Sequence, residues 1–168
     1  MKGVILAGGS GSRLLPLTKV TNKHLLPVGK IPMIMHSIKK LEECGIYDIM
    51  IVTGTEHMGA MVNLLGSGVD YNCNFTYKVQ DQPDGIAGAL SLCKDFVGEK
   101  DVIVLLCDNI FSNSLKVVVD KFKSIEAKSK CMLTIKDVPD PERYGVAFLD
   151  EKDKKIKNII EKPTKPTS

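Results

Sequence analysis

Short apolar runs punctuate the chain at residues 4–6, 49–53, 75–79, 102–106 and 132–135, each rich in β-branched side chains and continuous rather than alternating. A strand that is apolar on both sides has both faces covered, which marks a parallel sheet with helices above and below it. The intervening segments carry apolar positions at helical spacing. Residues 32–44 place Met33, Ile34, Ser37, Ile38 and Leu41 on one side and end at Gly45; 57–65, 86–96 and 115–127 follow. Strands alternating with helices imply βαβ crossovers, and hence an α/β, doubly wound, mostly parallel sheet with helices on both faces.

After residue 127 the pattern changes. Segments 130–138, 145–149 and 156–160 read as strands with no helix between them, so they are expected to pair antiparallel at the edge of the parallel sheet and make it mixed. The lysine-rich stretch 151–155 reads as a solvated hairpin tip. The last eight residues, EKPTKPTS, carry two prolines and no apolar side chain, as a connection leading onward would. No internal repeat is visible, and 168 residues suit one domain spanning 1–168 with a continuous core.

Composition narrows the function classes. Charged residues make up 26% and hydrophobic ones 43%, the profile of an ordinary globular protein rather than a disordered one. The 23 basic and 20 acidic side chains leave only +3, too weak a field to argue for nucleic acid, and aromatic residues for base stacking are few. The first apolar run is broken by Gly8, and no stretch is long enough to span a bilayer, so neither a signal peptide nor a membrane partner is expected. Five cysteines, at 44, 73, 93, 107 and 131, form no C-x-x-C pair and read as reduced thiols of a cytoplasmic protein.

The chemistry starts where the first strand ends. In GVILAGGSGSRLLPLT, residues 3–18, three glycines (Gly8, Gly9, Gly11) leave a backbone without Cβ atoms, so main-chain N–H groups can close around an oxyanion. Arg13 follows within reach of the same anion, and its guanidinium can hold it with two parallel hydrogen bonds. This is a phosphate cradle, and it points to a nucleotide. It is neither of two familiar phosphate loops. The dinucleotide fingerprint needs a glycine where Leu14 stands, and the one Gly-Lys pair, Gly29 and Lys30, is followed by Ile31 rather than a hydroxyl residue.

Further segments join the loop in order: KHLLPVGKIPMI at 23–34, VQDQPDGIA at 79–87, CDNIF at 107–111, DPERYGVA at 140–147 and IIEKP at 159–163. With these six motifs the chain resembles the sugar nucleotidyltransferases, with the thymidylyltransferases acting on glucose 1-phosphate as the nearest branch. The resemblance covers essentially all of this chain but only the front half to two-thirds of such an enzyme. It implies the Rossmann-like nucleotide-diphospho-sugar transferase fold. It also implies attack of a sugar 1-phosphate oxygen on the α-phosphorus of dTTP or UTP, with pyrophosphate leaving.

The resemblance assigns Arg13, Lys23 and Asp108 to catalysis, and Leu6, Gly8, Gly9, Gly11, Ser12, Arg13, Gln80 and Gly85 to the nucleotide. In-line phosphoryl transfer needs positioning and charge neutralisation, which fits Arg13 on the departing pyrophosphate and Lys23 on the α-phosphate side. Asp108 stands at the carboxyl end of the VIVLL run, where open parallel sheets place ligands, as a ligand for magnesium. The second metal carboxylate of the family lies beyond this chain. Gln80 offers an acceptor and two donors to thymine or uracil, but its amide can flip to suit cytosine, so Gly85 is needed as a second reference. Tyr144, Gly145, Glu161 and Lys162 are implied for the sugar phosphate. His24, His36 and His57 lack ligand spacing and read as structural or surface residues.

Three positions depart from the family pattern. Ser12 replaces threonine and keeps the hydroxyl; His24 replaces proline or glutamine; Cys107 replaces a glycine before Asp108, where a side chain is expected to crowd the ligand. The expected partners are a nucleoside triphosphate and a sugar 1-phosphate, with a homo-oligomer or a partner chain supplying the missing C-terminal region. The alternative is a nucleotide-binding module or regulatory paralogue without transfer activity.

Overall fold

The opening apolar run folds as β1 (Lys2–Leu6), four of whose five residues are buried. In the computed structural model, which describes residues 1–9, 11–82, 84–126, 131–150, 152 and 155–164, three 3-10 turns follow it, at Ser12–Leu14, Leu17–Lys19 and Lys23–Leu25. A short hairpin, β2 (Pro27–Val28) and β3 (Ile31–Pro32), leads into α1 (Met33–Glu43). Gly29 and Lys30 are the two-residue turn of that hairpin, a placement the sequence pattern did not mark. Then come β4 (Asp48–Thr53), α2 (Met58–Leu65), β5 (Asn74–Val79), α3 (Gly85–Ser91), α4 (Lys94–Val97), β6 (Val102–Leu106) and α5 (Lys116–Lys123). The helix α1 stops at a Schellman motif. Gly45 takes φ 71°, while its N–H reaches Glu42 O (2.8 Å) and that of Ile46 reaches Leu41 O (3.0 Å).

Four strands form a parallel sheet in the order β5-β4-β1-β6, with Val4 opposite both Met50 and Val104. Successive side chains point to opposite faces, so β1, β4 and β6 each feed two cores at once, whereas β5 alternates, packing Phe75 and Tyr77 on one core and leaving Thr76 and Lys78 exposed. Ile5, Ile49, Ile51 and Leu105 pack with α1 (Ile34, Ile38, Leu41), α2 (Met61, Leu65) and Val119 of α5. Val4, Leu6, Met50 and Val52 pack on the other face with Ala89 of α3 and Cys93. A fully buried side chain of this size contributes about 1.5–3 kcal/mol. Because β1 lies between β4 and β6, the chain crosses to either side of it, and the crevice at the carboxyl ends of β1 and β6 is the topological switch point.

The chain divides into two compact units, Met1–Ser124 and Ile125–Ser168. In the second, Pro141–Arg143 is a 3-10 turn and β7 (Gly145–Leu149) pairs antiparallel with β8 (Ile156–Glu161).

Four expectations need correction. The helix expected at 86–96 is broken at Cys93, whose N–H bonds Leu90 O (3.0 Å) rather than Ala89 O, the carbonyl its own Sγ meets at 3.4 Å; Leu92 N still reaches Gly88 O, which Ser91 Oγ also joins (2.7 Å). The helix at 115–127 ends at Lys123, where Ser124 Oγ turns back onto Lys121 O (2.8 Å); Ala127 lies outside the described residues. Residues 131–138 form no strand: a strand needs a neighbour for its N–H and C=O groups, none pairs with them among the described residues, and Leu133 and Ile135 remain exposed. The hairpin β7–β8 is a separate two-stranded sheet rather than an edge of the parallel one. Lys130, most of the turn at 151–155, and residues 165–168 lie outside the described residues. All five cysteines are free, and no described helix is long and apolar enough to cross a membrane.

Candidate functional site

At the end of β1 the chain is held firmly before it leaves the sheet. Ala7 N donates to Val52 O (2.7 Å), and Ala7 O accepts from Asn22 Nδ2 and from Thr53 Oγ1, both at 3.3 Å. Gly8 and Gly9 then run exposed, and Gly11 turns left-handed at φ 64° to start the 3-10 turn that carries Arg13. Leu14 N and Thr18 Oγ1 close that turn on Gly11 O at 2.8 and 2.9 Å. A Cβ at position 11 would lie 2.8 Å from Thr18 Cγ2, so both conformation and space require glycine.

The second wall is built on Asn22. Its side-chain oxygen accepts from His24 N (2.8 Å) and contacts His24 Nδ1 (2.6 Å), fixing the 3-10 turn Lys23–Leu25 against the end of β1. Since that oxygen already accepts from a backbone N–H while the amide nitrogen faces Ala7 O, His24 Nδ1 carries the proton. Burial, aided by the Lys23 charge, lowers the His24 pKa to about 4, so the ring is neutral. The turn aims Lys23 across the crevice, where Nζ donates to Asp108 Oδ2 at 2.6 Å.

Asp108 follows β6 in a turn anchored by Cys107 N to Leu6 O (3.0 Å) and Asn109 N to Leu106 O (2.9 Å). Partial burial pushes the Asp108 carboxyl up, but the Lys23 ammonium, through hydrogen bond and charge, outweighs it and holds the group below the usual carboxylate range. A Cβ at Gly9 would stand 3.1 Å from Lys23 Cε and Nζ, so the bare backbone leaves room for the ammonium between loop and carboxylate.

Two cavities meet at this ion pair, and both are lined by Gly9, Lys23 and Asp108. One, about 400 Å³, is completed by Gly11, Ser12, Arg13 and Leu14. The other, about 270 Å³, is completed by Leu6, Gly8, His24, Gln80, Gly85 and an apolar floor that includes Ala89. Every residue expected to touch nucleotide therefore lines one cavity or the other. Gln80 sits just past β5, and its Nε2 donates to Gly85 O (3.2 Å) and to Asp84 Oδ1. Among the described residues, Asp108 is the one carboxylate lining the two cavities, and no cluster of three His, Cys, Asp or Glu side chains that could hold a metal occurs. It fits a magnesium ion that takes one protein oxygen and completes its shell with phosphate oxygens and water.

The four residues expected to meet sugar phosphate are gathered on the β7–β8 hairpin. Gly145 stands opposite Glu161, Lys162 N donates to Tyr144 O (2.9 Å), and Lys162 Nζ lies 3.8 Å from Glu161 Oε1.

Cys107 does not crowd the site. It is fully buried, alternates with Asp108 to the core face beside Ser37, and burial pushes its thiol up to about 12. Sequence reasoning missed the Asn22 bracket, for which Asn-x-His flanking the lysine was the available signal. It also missed the Lys23–Asp108 pair, for which there was none.

A parallel α/β sheet that gathers a glycine loop, two cations and a carboxylate at its switch point has the layout in which open α/β sheets bind ligands. The nucleotidyl transferase family model matches residues 2–168, and the chain belongs to that family. It is 43% identical over 168 residues to a glucose-1-phosphate thymidylyltransferase of Xanthomonas campestris, covering 99% of this chain and 56% of the relative. It is 37% identical to a low-salt glycan biosynthesis nucleotidyltransferase of Haloferax volcanii, over 99% of this chain and 46% of that protein. The chain thus spans about half the length of these curated relatives. Among solved structures, a Bacillus anthracis protein provisionally designated a glucose-1-phosphate thymidylyltransferase, in complex with a sucrose, superposes with a TM-score of 0.92 at 55% identity, over 100% of this chain and 67% of the other. A UDP-glucose pyrophosphorylase complexed with UDP-glucose gives 0.77 at 26% identity, over 96% and 69%. The fold is the nucleotide-diphospho-sugar transferase fold.

Proposed function

We propose that this chain carries the nucleotide site of a sugar-phosphate nucleotidyltransferase that transfers a thymidylyl or uridylyl group from dTTP or UTP to a sugar 1-phosphate, glucose 1-phosphate, releasing pyrophosphate. The observation that carries the reading is the convergence of the glycine loop, Arg13, Lys23 and Asp108 on one crevice, with Gln80 and Gly85 in the adjoining cavity. The names of the relatives support the same chemistry.

In this reading the N–H groups of Gly8, Gly9, Gly11 and Ser12 hold the triphosphate and Arg13 grips its β- and γ-phosphates. The sugar phosphate oxygen attacks the α-phosphorus, the bond to the bridging oxygen breaks, and its electron pair leaves with pyrophosphate. Lys23, a point charge between loop and carboxylate, stabilises charge at the reacting phosphorus. Magnesium, held by Asp108 and phosphate oxygens, would supply further neutralisation of that charge. Tyr144, Gly145, Glu161 and Lys162 would receive the sugar phosphate.

A coupled pyrophosphate assay tests this across dTTP, UTP, CTP and ATP with glucose, galactose and mannose 1-phosphates. Release with dTTP or UTP and glucose 1-phosphate, abolished by Arg13→Ala, is the expected result; no release with any pair refutes it. A second reading, nucleotide binding without transfer, draws on the single carboxylate lining the cavities. It predicts calorimetric binding of dTTP with no pyrophosphate formed.

A further inference from the structure

Gln80 is the polar side chain of the second cavity with both a donor and an acceptor to offer, and an amide that rotates freely would suit either an imide base or cytosine. Its surroundings remove that freedom. Nε2 donates to Gly85 O (3.2 Å) and to the carboxylate of Asp84. Both are acceptors only, so turning the amide over would set its oxygen against two other oxygens. The oxygen is left on the opposite side, 3.4 Å from where a Cβ of Gly8 would stand, within the cavity that Gly8 and Gln80 line.

We propose that Asp84 is a positioning residue that fixes the orientation of the Gln80 amide, so that the cavity presents an acceptor to a base with a ring N–H and disfavours cytosine. Asp84 makes no side-chain cap bond to α3, so end-capping does not account for it. Its carboxylate instead folds over Gly88, where a Cβ would overlap it; only a glycine one turn into α3 admits the carboxylate in this place. Thymine and uracil carry a donor at N3, which the fixed oxygen accepts. Cytosine carries a lone pair there and must slide along its edge to engage through its exocyclic amine.

The inference rests on the nucleotide-site reading above, and the test separates the two. Dissociation constants for dTTP, UTP and CTP are measured by calorimetry for the parent chain, Asp84→Ala, Asp84→Asn and Gly88→Ala, beside pyrophosphate release. The parent prefers dTTP and UTP to CTP by tenfold or more. Asp84→Ala leaves only the longer bond to Gly85 O to hold the amide and Gly88→Ala displaces the carboxylate, so each lowers that ratio about tenfold; Asp84→Asn, which keeps an acceptor, retains most of it. A ratio unchanged in both alanine variants, an equal loss for all three nucleotides, or a parent without preference overturns the inference. Binding with the predicted ratios but without pyrophosphate release overturns transfer alone. No nucleotide binding by the parent overturns both.

Discussion

His24 makes the folded chain sensitive to acid in a window set by one buried ring. It is 2% exposed, donates to Asn22, and has its pKa lowered from 6.5 to about 4, by burial first and the Lys23 charge second. Between those values the unfolded chain binds a proton that the folded chain rejects, so stability rises with pH. The contribution is intact above pH 6.5 and is lost as pH falls toward 4. At about 1.4 kcal/mol per pH unit the loss is about 3 kcal/mol, a large share of the ~5–15 kcal/mol of a typical domain. Asp108 acts in a separate window: its lowered pKa adds stability that is lost only as pH falls below the ordinary carboxylate value of 3.8. Urea unfolding of the parent and of His24→Gln at about pH 7 and pH 4.5 isolates the ring, because glutamine keeps a donor for Asn22 and does not titrate. The parent should lose about 2–3 kcal/mol more than the variant between these conditions. Equal losses, or an NMR-determined His24 pKa near 6.5, would refute the reasoning.

Other consequences follow from the same geometry. Gly11→Ala forces a Cβ onto Thr18 Cγ2 at φ 64°; it should destabilise the chain by about 1–2 kcal/mol in denaturant titration and weaken triphosphate binding. Lys23→Ala removes a charge-assisted bond of about 1.5–3 kcal/mol, so single-turnover kinetics should slow roughly tenfold to a hundredfold. Arg13→Lys should restore little of what Arg13→Ala loses, since an ammonium cannot copy a bidentate guanidinium contact. Chelation of divalent cations should stop pyrophosphate release while calorimetry still detects nucleotide.

Much of the sheet is legible in the chain because β1, β4 and β6 meet apolar packing on both faces, so the runs at 4–6, 49–53 and 102–106 stand out by composition alone, while β5 covers only one face and leaves Thr76 and Lys78 exposed. The glycine loop is legible because no other residue type leaves N–H groups so open. The break after Ser91 is hidden from periodicity, because it falls at Cys93, whose N–H turns to Leu90 O while its thiol takes Ala89 O. Residues 131–138 have strand composition but no partner among the described residues, and propensity alone does not pair a strand. Lys23 and Asp108 lie 85 residues apart, and only the order β5-β4-β1-β6 brings them together. Asn22 and Asp84 look like ordinary turn residues until their acceptors are seen on His24 and Gln80.

A crystal structure of the chain with thymidine triphosphate and magnesium tests the central claim most directly. The account predicts the triphosphate along residues 8–13, its α-phosphate beside Lys23 and Asp108, and the base against Gln80. A nucleotide bound away from the crevice between β1 and β6, or with its base in the cavity lined by Arg13, would contradict it.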